Sequence, residues 1–79
     1  MAKAKFGPTY ARLLALLIEG REKAELKQSD LALKLGKPQS YISKIESGER
    51  RLDVAEFIEL VTAMGSDPVQ ILKKTIAKA

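Results

Sequence analysis

Apolar residues recur at helical spacing in five separate stretches of the chain. The first stretch begins near Pro8, a residue suited to a first helical turn. Its inward stripe at the i, i+3, i+4, i+7 spacing consists of Tyr10, Leu13, Leu14, Leu17 and Arg21. Leu16 and Ile18 fall outside this stripe. Either this helix is buried on more than one side, or it contributes to an oligomer contact.

Two short helices are predicted next, at about 28–35 and 39–47, joined by Gly36-Lys37-Pro38. Gly36 and Gly48 are the residues expected to end them in a left-handed conformation. Their inward residues are Leu31, Ala32 and Leu35 in the first and Ile42 and Ile45 in the second. A connection of about three residues makes two helices cross steeply instead of lying antiparallel.

The last two helices have clear start signals. Asp53 followed by Glu56 is a capping-box pattern, and Asp67-Pro68 is a cap followed by a first-turn proline. The expected inner residues of the fourth helix are Val54, Phe57, Val61 and Met64, with Leu60 as a further candidate, and the helix ends at Gly65. The fifth helix carries Val69, Leu72 and Ile76 on one side. The pattern predicts an all-α, compact five-helix bundle, with residues 1–79 forming one domain.

Composition excludes several classes of function. The 79 residues include no cysteine and no histidine, which excludes disulfides, zinc fingers and Cys- or His-based catalysis. Ser43 and Lys44 occupy adjacent helical positions that point apart, so they do not form a nucleophile–base pair. There is no Gly-rich phosphate loop or metal-ligand cluster. We therefore expect no enzyme activity and no cofactor.

The sequence gives no sign of membrane insertion or secretion. Its longest apolar run, Leu13 to Ile18, is far shorter than the roughly 20 residues of a membrane span. The N-terminus contains Lys3 and Lys5, which we expect in a disordered tail, the alternative being an arm that touches DNA, and it has no apolar signal core. The expected location is the cytoplasm.

Charge is distributed unevenly along the chain, whose net charge is +4. Residues 27–51 contain six basic and three acidic side chains, whereas residues 52–67 contain four acidic and no basic ones. This division suggests one face for phosphates and another turned away from them, although solvated helix faces give a similar pattern.

The third helix contributes only two residues to the core, so most of its surface is left for solvent or a partner. Its outward residues are Gln39, Ser40, Ser43 and Lys44, with Tyr41 at the edge. A glutamine can pair bidentately with adenine, and Ser and Lys reach bases or phosphates. The residues expected to contact phosphates are Gln28, Lys37, Tyr41, Arg50 and Arg51.

Residues 26–51 resemble the Cro/cI-type (XRE family) helix-turn-helix. The most specific part is the run Gln-Ser-Tyr-Ile-Ser-Lys-Ile-Glu-Ser-Gly at 39–48, in which core, surface and stop positions match in register. The resemblance implies a five-helix domain of the lambda-repressor-like type that binds operator DNA, usually as a dimer. By position, Gln28 would contact a phosphate and support Gln39. Glu46 matches a position that is more structural than base-reading.

Three positions depart from the family pattern. Lys27 stands where a Thr or Ser commonly caps the second helix. Lys37-Pro38 replaces an apolar residue and a Ser/Thr cap before the third helix, for which we expect a slightly altered turn. Glu25 replaces a common glycine between the first two helices, which leaves the geometry of that turn open.

The resulting hypothesis is a dimeric transcriptional regulator, a repressor or autoregulating controller, whose partner is double-stranded palindromic operator DNA. The alternative is an antitoxin-like protein-interaction module, with a toxin as partner and DNA binding secondary. Leu33 is expected to be exposed. The candidate dimer interface on the last two helices comprises Ile58, Thr62, Val69, Ile71, Leu72 and Ile76, some of which must belong to the core.

Overall fold

The computed structural model describes residues 6–77, so Lys3, Lys5 and Lys78 lie outside the described residues. The helices are α1 (Pro8–Lys23), α2 (Gln28–Leu35), α3 (Gln39–Glu46), α4 (Val54–Ala63) and α5 (Pro68–Ala77). The predicted all-α five-helix architecture is confirmed. Between residues 6 and 77, no helix has the length and apolarity needed to cross a membrane.

Local hydrogen bonds explain where α4 and α2 begin. The Asp53 carboxylate accepts the backbone N–H of Glu56 at 2.7 Å, and the Glu56 carboxylate accepts that of Asp53 at 3.1 Å. The predicted capping box of α4 is therefore present. At α2, the Asp30 carboxylate accepts the Lys27 N–H at 2.8 Å, but Lys27 has no side-chain oxygen with which to complete the box.

The core lies where the five helices meet. Its most deeply buried large side chains are Leu17, Leu31, Ile42, Ile45 and Val61. Leu16 packs against this cluster, so α1 is buried on more than one side. Leu33 is 81% exposed, as expected. Burial of the stripes of several helices against one another is what stabilises a domain of this size, because such short helices are marginal alone.

Two positions assigned from the pattern differ in the structure. Val54 was expected in the core but is 75% exposed, because it is the first residue of α4 and precedes the turns that reach the core, whereas Leu60 is buried. Ile71 was among the interface candidates but belongs to the core. Thr75 is buried beside it on α5 and donates its hydroxyl to the Ile71 carbonyl at 2.9 Å.

The turn between α1 and α2 has a left-handed residue that is not glycine. Glu25 has a φ of 59°, and the next N–H, that of Leu26, donates to the Arg21 carbonyl at 3.1 Å. This is the conformation that glycine takes most easily at a helix C-terminus. Glu25 therefore makes this glycine-like turn at a conformational cost, and α2, which follows it, packs against α3 and α4.

Candidate nucleic-acid interface

The turn between α2 and α3 determines which side of α3 stays free. Gly36 adopts a left-handed φ of 67°, and the Lys37 N–H donates to the Ala32 carbonyl at 2.9 Å, which reverses the chain immediately after α2. Pro38, with φ −70° and ψ 156°, occupies the cap position and leads into α3 without a side-chain cap. Across this turn the two helices pack directly together.

The four side chains predicted to read bases share one side of α3. Gln39 and Ser43 are one turn apart, as are Ser40 and Lys44, and the two pairs are adjacent on the helix surface. Three of the four are exposed and Ser43 is half-buried. The core residues Ile42 and Ile45 occupy the opposite side. This polar side of α3 is largely exposed.

Gln39 is the outer end of a chain of hydrogen bonds that starts in the protein interior. Its Nε2 donates to Gln28 Oε1 at 2.8 Å, and Gln28 Nε2 donates to Glu46 Oε1 at 2.9 Å. Glu46 in turn binds Arg21 through two bonds of 2.7 and 3.1 Å. We call these four side chains (Arg21, Glu46, Gln28 and Gln39) the relay.

The inner end of the relay is a largely buried ion pair. The side chains of Arg21 and Glu46 are only 12% and 10% exposed, and the remaining Arg21 nitrogen donates to the Leu26 carbonyl at 2.7 Å. The hydrogen bond to Glu46 raises the pKa of Arg21 above its ordinary value. The sequence placed Arg21 on the inward stripe but did not identify its partner. Because a buried charge requires an oppositely charged partner, the inward position of Arg21 was itself a signal that a carboxylate lies beside it.

A second cluster surrounds Tyr41, which is half-buried at the edge of α3. Lys37 Nζ lies 5.2 Å and Arg50 Cζ 4.8 Å from the centre of its ring, both at cation–π distance. Burial, followed by the charge of Glu56, raises the pKa of Tyr41, so its hydroxyl is protonated at neutral pH and available as a donor. Three predicted phosphate contacts are therefore neighbours.

Arg50 is already engaged within the monomer. Its guanidinium binds the Glu56 carboxylate through bonds of 3.0 and 2.8 Å, and that carboxylate also caps α4. The hydrogen bonds from Arg50 and from the Asp53 backbone lower the pKa of Glu56 to about 2. The Arg50–Glu56 pair was not predicted from sequence, because it depends on the conformation of the loop before α4, which brings Arg50 close to the first turn of that helix.

Arg51 stands apart from that cluster. Its side chain is exposed and lies over the Phe6 ring, 4.9 Å from the ring centre to Cζ. The loop that carries it is attached to α1 because the Leu52 N–H donates to the Tyr10 hydroxyl at 3.0 Å. Two adjacent arginines therefore have different environments, one bound to a carboxylate and one resting on an aromatic ring.

Comparison with known proteins gives a consistent result. A helix-turn-helix family profile matches residues 17–71, which is more than half of the chain. Among solved structures, an XRE-family like protein from Pseudomonas syringae pv. tomato str. DC3000 is similar, with 46% sequence identity and a TM-score of 0.87. That match covers 90% of this chain and 87% of the other. No curated protein matches the sequence.

Proposed function

The chain belongs to the XRE family of helix-turn-helix DNA-binding transcriptional regulators, and from this membership we propose that it is a dimeric repressor that binds a palindromic operator through α3. The observation that carries the proposal is the bare polar side of α3, whose first residue is held by the relay. An outward helix face with amides, hydroxyls and one cation has the groups needed to read base edges in a major groove.

Base reading is assigned to Gln39, Ser40, Ser43 and Lys44. Gln39 begins α3, and the N-terminal residues of a recognition helix are those that approach the bases most closely. Its amide can contact adenine, while Ser40 and Ser43 can accept or donate as the neighbouring base requires. Lys44, near the other end of α3, can reach a base or a phosphate.

Phosphate contacts are assigned to the cluster around Tyr41, to Arg51 and to the start of α2. Lys37 and Arg51 are exposed cations that flank α3 on the chain, and the protonated Tyr41 hydroxyl is a further donor. Gln28 begins α2, where backbone N–H groups also favour an anion. Arg50 is assigned a weaker contact, because Glu56 already neutralises its charge.

Dimerisation is assigned to an apolar surface on α4 and α5. Ile58, Val69, Leu72 and Ile76 are between 45% and 71% exposed, and Thr62 is exposed beside them. The described chain measures 32 × 24 × 22 Å, so two copies side by side fit the spacing of about 34 Å between successive major grooves. A palindromic operator requires such a surface, because its two half-sites are bound by two copies of the chain that contact each other.

Selection of bound duplexes from random DNA tests the proposal and reveals half-site spacing. On the selected site, Gln39→Ala is expected to cost about 1–3 kcal/mol and to relax preference at one base pair. Gln70→Ala removes an exposed glutamine of α5 and serves as the matched control. Equal weakening of selected and random DNA by Gln39→Ala would remove Gln39 from the base-reading set.

The dimer is tested by sedimentation of the free protein and of its complex. Leu72→Glu is expected to weaken self-association and to lower affinity for the palindrome more than for a single half-site. Gln70→Glu, at a neutral exposed position on α5, adds the same single negative charge and is the control. If Leu72→Glu left both association and palindrome affinity unchanged, the α4–α5 surface would not be the dimer interface.

A second candidate function is an antitoxin-like interaction module in which DNA binding is secondary. Its support is a groove between the start of α1 and α5, lined by Phe6, Tyr10, Leu13, Leu72 and Ile76 among others. A protein that bound a partner through this groove but showed no preferred sequence in the duplex selection would favour this candidate over the repressor.

A further inference from the structure

The relay contains a charge pair whose role is not explained by stability alone. Arg21 and Glu46 come from α1 and α3, and both side chains are nearly buried. Buried ion pairs are weak evidence for stability, because desolvation offsets much of their attraction and apolar replacements are often neutral. What distinguishes this pair is that one of its carboxylate oxygens also accepts from Gln28.

The chemistry of the ion pair fixes which way Gln28 points. An ionised carboxylate only accepts hydrogen bonds, and a guanidinium only donates them. Both Glu46 oxygens accept from the Arg21 guanidinium, so the Gln28 group that faces Glu46 must be its NH2. The Gln28 oxygen is therefore turned outward, to the position where the structure has it accepting from Gln39 at 2.8 Å.

The same constraint passes to Gln39. Since Gln28 presents an oxygen, Gln39 must use one of its two N–H groups to reach it. One N–H and the carbonyl oxygen of Gln39 remain for the major groove. This donor–acceptor pair complements adenine, which presents N7 as acceptor and the N6 amino group as donor, whereas guanine presents two acceptors, N7 and O6.

We propose that the Arg21–Glu46 ion pair is a positioning unit that sets the hydrogen-bond polarity of Gln39 and thereby its preference for adenine over guanine. The proposal rests on the proposed function, in which α3 reads DNA. Arg21 and Glu46 themselves touch no base; they determine specificity through Gln28. The buried pair is thus a specificity determinant of the recognition helix.

Glu46→Gln is the variant that tests this directly. An amide at position 46 can turn either its oxygen or its NH2 group toward Gln28, so the polarity of the relay is no longer fixed. On the duplex selected by the unsubstituted protein, the base pair read by Gln39 is first located with Gln39→Ala. Affinities are then measured for duplexes carrying adenine or guanine there.

The unsubstituted protein is expected to favour adenine by at least about fivefold, the lower end for one bidentate contact. In Glu46→Gln this ratio is expected to fall at least about threefold. Glu49→Gln is the matched control, because it removes the same charge from an exposed residue just beyond α3. The control should retain the full adenine preference.

The ratio of the affinities for the adenine and guanine duplexes is insensitive to partial unfolding. A smaller folded fraction lowers affinity for both duplexes by the same factor, so their ratio is unchanged. If Glu46→Gln does not fold, the double variant Arg21→Met/Glu46→Leu replaces the pair by apolar side chains. It also leaves Gln28 without a fixed orientation, and the same fall in the ratio is expected.

The outcomes separate this proposal from the one on which it rests. If the unsubstituted protein selects no sequence, the proposed function is wrong. If it selects a site and favours adenine, but the folded variants keep the full adenine-to-guanine ratio, the proposed function stands and the positioning role of Arg21–Glu46 is wrong. A reduced ratio in the variants together with an unchanged ratio in Glu49→Gln supports the positioning role.

Discussion

The different environments of Arg50 and Arg51 lead to opposite expectations for two neighbouring substitutions. Arg51→Gln removes an exposed cation that lies over the Phe6 ring. Arg50→Gln removes a cation whose two terminal nitrogens already donate hydrogen bonds to the Glu56 carboxylate. If phosphate contact depends on a free charge, only the first substitution changes how DNA binding responds to salt.

The expected magnitude follows from counterion release. Each phosphate neutralised on duplex DNA contributes about 0.9 to the slope of log affinity against log salt. Between 50 and 200 mM salt, one contact therefore accounts for a further loss of about 3.5-fold. Arg51→Gln should remove that increment, so its affinity should fall less steeply with salt although it is lower throughout. Arg50→Gln should leave the slope almost unchanged, because the slope counts phosphates neutralised and Arg50 is bound to Glu56 instead of a phosphate.

Fluorescence anisotropy on a duplex of random sequence measures the slope without base reading. Lys73→Gln, an exposed cation on α5, controls for the change in total charge. An unchanged slope in Arg51→Gln would remove this residue from the phosphate contacts. An equal reduction in Arg50→Gln would mean that Arg50 leaves Glu56 when DNA binds, and the reasoning from the free structure would be refuted.

Three further predictions concern stability. Because folding lowers the pKa of Glu56 to about 2, its bond with Arg50 should stabilise the protein above about pH 4.5, and this contribution should disappear as the pH falls toward 2; Glu56→Gln should show a smaller change in urea midpoint over that range. Gly20→Ala should raise the free energy of unfolding by about 0.5–1 kcal/mol, because Gly20 lies inside α1 and an added Cβ would meet Met64 at an ordinary 3.7 Å; an unchanged or lower thermal midpoint would contradict this. Glu25→Gly should stabilise by about 1 kcal/mol because φ there is 59°; urea unfolding measures it, and Glu22→Gly, within α1, should instead destabilise.

Much of the architecture was predictable because its signals are local. Pro8, Gly36, Asp53 and Pro68 marked helix boundaries that agree with the structure to within about one residue. Local patterning also placed Ile42 and Ile45 in the core, which leaves the opposite side of α3 exposed. The periodicity was misleading at Val54, since it gives the angular position of a residue but not whether another helix reaches that turn.

The sequence proposed members for the candidate site and, through the family resemblance, the support of Gln39 by Gln28, but not the other connections between them. The sequence indicated Gln39, Gln28 and Arg50 as residues that face DNA. Which of them are free, supported or already paired depends on partners such as Arg21, which is 25 residues from Glu46 in the chain. The periodicity of one helix carries no information about such distant partners.

By itself, the sequence determined the number and boundaries of the helices and the polar side of α3, because capping, turn formation and periodicity act over a few residues. Only the tertiary structure decided that a buried ion pair stands behind Gln39, that Arg50 is bound to Glu56, and that Ile71 is core while Leu72 is exposed. These features arise where helices distant in sequence meet, and the energy of a charge or an apolar side chain there depends on the neighbour that packing supplies.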